Sequence, residues 1–117
     1  MFNFNQEIET VLSALGVPVA FLHYSGKANT YVTYMQAYKD NAISGDDNVF
    51  GCVQFYDFDV YSKGNYLTVV EDLINLMTSA GWTYQPSRDS PDMYENDTKF
   101  FHKTICMAKE SEVLNNG

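Results

Sequence analysis

The stretch Val49-Phe50-Gly51-Cys52-Val53-Gln54-Phe55-Tyr56-Asp57-Phe58-Asp59-Val60-Tyr61 decides the fold. Within it Tyr56, Phe58 and Val60 alternate with Asp57, Asp59 and Tyr61, the pattern of a strand with one apolar and one acidic face. On a helix the same residues would be spread around the axis and the two classes would mix. Val49 to Tyr61 is therefore expected to form a long strand, with the apolar set turned toward helices and the acidic set toward solvent, a partner subunit or a lumen.

Downstream, Ser62-Lys63-Gly64-Asn65 turns the chain, and Asn65 is a good N-cap for a following helix. Tyr66, Val69, Val70, Leu73, Ile74 and Met77 recur at helical spacing, with Glu71, Asp72 and Asn75 left for the outer face. Gly81 ends that helix. Trp82 to Gln85 reads as a short strand stopped near Pro86, and Ser87 to Asp97 as an excursion loop. Lys99 to Ala108 is the last strand, and Glu110 to Gly117 a frayed tail.

Upstream, the stretch Lys39 to Asn48 gathers Asp40, Asn41, Ser44, Gly45, Asp46, Asp47 and Asn48 around a lone Ile43, and reads as a loop. Tyr31 to Tyr38 is expected to be a strand, the antiparallel partner of an earlier one from Val19 to Tyr24. Ser25 to Asn29 forms the turn between them. At the start, Asn3 and Gln6 form a capping box, and Ile8, Val11, Leu12 and Leu15 make an apolar stripe. Gly16 and Pro18 stop this first helix. The order α-β-β-β-α-β-β predicts an α+β fold: a mostly antiparallel sheet of about four to five strands with two helices on one face. Length and composition predict one domain over residues 1–117.

Seven basic residues against fifteen acidic ones give a net charge of −8, which argues against sequence-specific nucleic-acid binding and against anionic membrane surfaces. No apolar run reaches the length of a membrane helix, and Met1 to Gln6 lacks the features of a signal peptide. Cys52 and Cys106 each sit in an apolar strand-like run and are expected to be reduced, buried thiols of a protein made in a reducing cytosol.

Catalytic chemistry finds little material. His23 and His102 fall in different predicted strands, with no sign that they converge with a cysteine. The Asp40–Asp47 loop lacks the alternating oxygen ligands and closing Glu of a calcium loop. Asp57 and Asp59 share a strand face, but acid–base work would need a cleft that splits their pKa values. Ser25-Gly26-Lys27 and Ser62-Lys63-Gly64 hold too few glycines for a phosphate loop, and no Gly-x-Ser-x-Gly elbow occurs. The residues predict no enzyme, no cofactor and no metal site.

Several runs taken in order carry a resemblance: Gly16-Val17-Pro18-Val19, Tyr31-Val32-Thr33-Tyr34, Asp59 to Tyr66, Leu76-Met77-Thr78-Ser79-Ala80-Gly81-Trp82, Tyr94 to Lys99 and Phe101-His102-Lys103. Together they resemble small tail-assembly proteins of siphophages and prophages of Gram-positive bacteria, of the tail-terminator or tail-completion type. The resemblance spans about Gly16 to Met107. It implies a non-enzymatic structural subunit found in the virion tail and, during assembly, in the host cytoplasm. It further implies a homo-oligomer, commonly a hexameric ring that can be monomeric in isolation, whose partners are the tail-tube protein and head–tail connector proteins. An acidic lumen would suit a ring through which DNA must slide. A head–tail connector subunit and a small bacterial ligand-binding or regulatory module are the alternative readings. Candidate interface residues are Asp40, Ile43, Asp46 and Asp47 in the first loop, Asp92 and Tyr94 in the second, and Asp57 and Asp59 on the acidic strand face.

Overall fold

Two long neighbouring strands, each 15 residues, form the spine of the protein. The computed structural model describes residues 4–44 and 48–112, without the side chains of 40–50 and 111–112. Helix α1 (Phe4–Leu12) continues as a 3-10 turn (Ser13–Leu15) and leads to β1 (Val19–Phe21). Then come β2 (Thr30–Ser44), β3 (Asn48–Ser62) and α2 (Tyr66–Ser79). The chain closes with β4 (Thr83–Tyr84), a 3-10 turn (Pro86–Arg88), β5 (Met93–Tyr94) and β6 (Phe101–Glu112). The six strands form one mixed sheet in the order β1-β2-β3-β6-β4, with β5 also paired to β6.

The alternation in β3 sets the two faces of this sheet. Tyr56, Phe58 and Val60 are buried beside Val32 and Tyr34 of β2 and Ile105 and Met107 of β6. Phe4, Ile8 and Leu12 of α1 and Val70, Leu73 and Met77 of α2 complete the core, as their helical spacing predicts. Asn65 caps α2, its Oδ1 accepting from the Thr68 N–H at 3.2 Å. Gly81, at φ 95°, releases the chain from α2 into Trp82, whose indole packs edge-on against Phe4 and Tyr56. Glu7 Oε1 accepts from Trp82 Nε1 and from Lys109 Nζ, each at 3.1 Å, and so ties α1 to the end of α2 and to β6. Both cysteines are free thiols; Cys106 is buried and Cys52 half-buried.

Four expectations need correction. First, β1 runs parallel to β2, pairing Val19 with Val32 and Phe21 with Tyr34. It ends at Phe21 rather than Tyr24: Leu22 takes a left-handed φ of 65°, and residues 22–29 carry the chain back to the start of β2 where a hairpin was expected. Second, Lys39–Ser44 and Asn48 are strand. Their weak β-propensity is overridden by continued pairing with β3, with Ala37 as an extra residue between paired Gln36 and Tyr38. Third, the Ser87–Asp97 segment is not a free excursion, because it lies along the outer edge of β6. Ser90 donates its N–H to the Thr104 carbonyl at 2.9 Å, and β5 pairs with Phe101 and His102. It thereby covers an edge that would otherwise be exposed. Fourth, β6 runs on to Glu112, so the start of the expected frayed tail is paired to β3; residues 113–117 lie outside the described residues.

The core occupies only part of the long strands. Among the residues whose side chains are described, the buried apolar cluster lies at 4–34 and 56–107. Beyond it, β2, β3 and β6 project as an arm, which gives the molecule its extents of 54 × 26 × 23 Å.

Candidate functional site

The sheet face opposite the helices carries the polar and aromatic residues that the core leaves out, and the strand register sorts them into rows. Tyr31, Tyr61 and His102 share one row; Thr33, Asp59 and Thr104 the next; Met35, Asp57 and Cys106 the third; Tyr38, Phe55 and Ala108 lie on the arm.

The first row is an aromatic stack. Tyr24 lies on Tyr31 (4.4 Å between centroids), Tyr31 on Tyr61 (4.8 Å) and Tyr61 on His102 (4.1 Å). Phe100 meets Tyr31 and Tyr61 edge-on, and Lys63 Nζ sits 5.1 Å from the Phe100 centroid. The ring faces are occupied by one another, so this end of the face is a small second core. Burial pushes the Tyr31 and Tyr61 phenols up from their ordinary range.

In the second row Asp59 Oδ1 bonds His102 Nε2 at 3.0 Å and accepts from the Thr104 hydroxyl. This carboxylate therefore positions its neighbours across two strands. The third row holds a carboxyl with a shifted proton equilibrium. Burial raises the Asp57 carboxyl above its ordinary value, opposed by the Arg88 guanidinium and the Cys106 thiol. Burial likewise raises the Cys106 thiol, so it is a poor nucleophile at neutral pH. Arg88 reaches this row from the 3-10 turn, its guanidinium 4.7 Å from the Tyr38 centroid and 5.9 Å from that of Phe55. It fastens the covering segment to the sheet face.

The arm end of the face is open. Val53, Phe55 and Ala108 floor a shallow groove of about 410 Å³, with Gly81, Thr83, Gln85 and Glu110 around it. Tyr38 is stacked on Phe55 at 4.2 Å yet 41% exposed. Four large apolar residues stand exposed near the β1–β2 side of the sheet: Phe21, Leu22, Met35 and Tyr38.

The expected interface residues are dispersed. Asp57 and Asp59 share this face but are half-buried and bonded, where the alternation predicted a plainly wet surface. Asp92 is exposed and accepts from Lys103 Nζ at 3.1 Å. Tyr94 is 47% exposed, its ring 4.8 Å from Phe101. Asp40 and Ile43 belong to β2 by backbone pairing, and Asp46 and Asp47 lie outside the described residues. His23 is exposed after β1 rather than in a strand, far along the chain from His102 in β6. Among the described residues no group of three or more His, Cys, Asp and Glu side chains is placed to hold a metal, and no helix is long and apolar enough to cross a membrane. The Arg88 clamp and the aromatic stack were not read from the sequence. The stack had a signal, since Tyr61 ends the acidic face of β3 with an aromatic; the clamp had none, because it depends on where a Pro- and Ser-rich turn folds back.

No protein-family model and no curated protein matches this chain. Among solved structures, it is similar in fold to a chain of the virion of a native gene transfer agent (GTA) particle, with a TM-score of 0.55. The match covers 88% of this chain and 84% of that one at 14% identity, so what is shared is the fold.

Proposed function

We propose that this chain is a non-enzymatic structural subunit of a tailed phage or phage-like particle, acting at the head–tail interface as a tail-terminator or tail-completion protein. The observation that carries the reading is the fold shared along nearly the whole chain with a component of a virion particle. Two features of the molecule support it. The polar groups on the face opposite the helices are engaged in internal tethers such as Asp59–His102–Thr104 and Arg88 over Tyr38 and Phe55, as suits a rigid building block. The arm extends the sheet past the core of the described residues, and an assembly subunit can use such an extension for contacts.

A deletion tests this in a phage or prophage that encodes the chain. Particles made without it should show tails of abnormal length or heads and tails that fail to join, and the wild-type gene supplied in trans should restore them. Normal infectious particles from the deletion would refute the reading. Tails of normal length beside separate heads would favour a connector subunit over a terminator.

A further inference from the structure

Pro86 and Pro91 interrupt the segment that lies along the outer edge of β6, and neither has an N–H to give to that edge. The segment therefore meets β6 at separate points rather than along a ladder. Gln85 donates its N–H to the Cys106 carbonyl and Ser90 donates to the Thr104 carbonyl, each at 2.9 Å. The Thr104 N–H returns a bond to Ser90 Oγ at 2.8 Å, and the two residues of β5 make the last pairing. No residue of the buried apolar cluster, and none packed against it, lies from 85 to 100. Residues 86–88 and 91–94 are exposed. Two side-chain fasteners remain. Asp92 with Lys103, at 3.1 Å, is a surface pair of small value. Arg88 holds more firmly: it reaches across β6 to the rings of Phe55 in β3 and Tyr38 in β2, and bonds the wholly buried Cys106 thiol. By contrast β6 is paired with β3 from Phe101 to Glu112, so it keeps its place in the sheet whether or not the segment lies on it.

We propose that residues 85–94 form a strap that lifts from β6 as a unit while the core stays folded, so that the β6 edge and the Cys106 thiol are covered in one state and presented in the other. A segment held by separate hydrogen bonds and few buried contacts opens at a lower free energy than the whole protein unfolds. Both ends of the strap are fixed, which makes its release one event. Tyr84 packs against the core at one end. At the other, the Lys99 N–H closes a turn onto the Glu95 carbonyl at 2.8 Å, with Lys99 at a left-handed φ of 65°. Closed, the strap hides N–H and C=O groups that would otherwise template pairing with another chain. Open, it uncovers that edge together with Cys106 and the half-buried Asp57 beside Arg88. The strap is a property of the fold and works in the same way whether or not the chain serves in a particle.

Hydrogen exchange of the full-length protein, followed by NMR in urea below the unfolding transition, tests the strap. The amides of Gln85, Ser90 and Thr104 should share one opening equilibrium, more populated than global unfolding and barely dependent on urea. Amides of α2 should exchange only through the urea-sensitive global route. Two variants separate the routes. Ile8→Val trims the core in both states of the strap, so it should speed α2 exchange roughly fivefold and leave the three strap amides unmoved. Arg88→Ala weakens the closed state alone, so it should speed all three strap amides together by roughly tenfold. In Cys52→Ser protein, where Cys106 is the only thiol, an excess of a small thiol reagent should label Cys106 at the rate which the shared opening sets. Strap amides that follow α2 in urea and in Ile8→Val overturn the proposal. So do strap amides that respond separately to Arg88→Ala, and a Cys106 that reacts only when the core unfolds.

Discussion

Phe58 and Asp59 are neighbours in β3 that face opposite ways, and each has a measurable consequence. Phe58 is wholly buried among Tyr34, Ile105 and the helices, so Phe58→Ala should lower stability by about 3–5 kcal/mol in chemical denaturation. Asp59, read from the sequence alone as a solvated acid, holds His102 and Thr104. Asp59→Ala strands both partners and should lower stability by roughly 1–3 kcal/mol; a change within about half a kcal/mol, normal for a free surface acid, would show that the tether contributes nothing. Asp57 differs again. Burial raises its carboxyl pKa, so the folded state holds the proton at pH values where the unfolded chain, titrating near 3.8, has released it. Stability from this group is therefore present at low pH and is lost as pH rises from near 3.8 through the raised folded value. Asp57→Asn should remove that component, so the stability of the variant should fall less over this window than that of the wild type. Equal slopes would show that Asp57 titrates as a free carboxylate.

At the scale of elements, legibility followed the strength of local pattern. α1, α2 and β3 were readable because their apolar residues repeat at a helical or strand period and their ends carry Gly16, Asn65 and Gly81. The arm was not, because Asp40, Asn41, Ser44 and Asn48 are poor strand formers in isolation and their pairing with β3 is a tertiary effect. The parallel β1 was misread because its direction is set by the left-handed Leu22 and the returning loop, and nothing local in Val19–Phe21 reports them. Of the candidate interface acids, pattern placed Asp57 and Asp59 on the right face and could not see their partners, which come from β6 and the turn at Arg88. Since no core residue among those with described side chains lies between 35 and 55, replacing residues 40–50 with a two-residue turn should leave the core standing. The shortened protein should keep its helical circular dichroism and melt within a few degrees of wild type, yet fail to restore particle assembly. Loss of the cooperative melt would show that the arm belongs to the folding unit.

At the scale of the whole molecule, a helix-on-sheet core carries an arm whose outer edges have no strand partner among the described residues. A net charge of −8 makes free copies repel one another, which contacts in any assembly would have to outweigh. The central claim is that this chain is built into a phage-like particle. It is tested most directly by purifying particles from a strain carrying an epitope-tagged copy and locating the tag by immunogold electron microscopy. The account predicts label at the junction of head and tail, with the chain present in a fixed number of copies per particle by quantitative mass spectrometry. Complete, infectious particles that contain none of it would contradict the account.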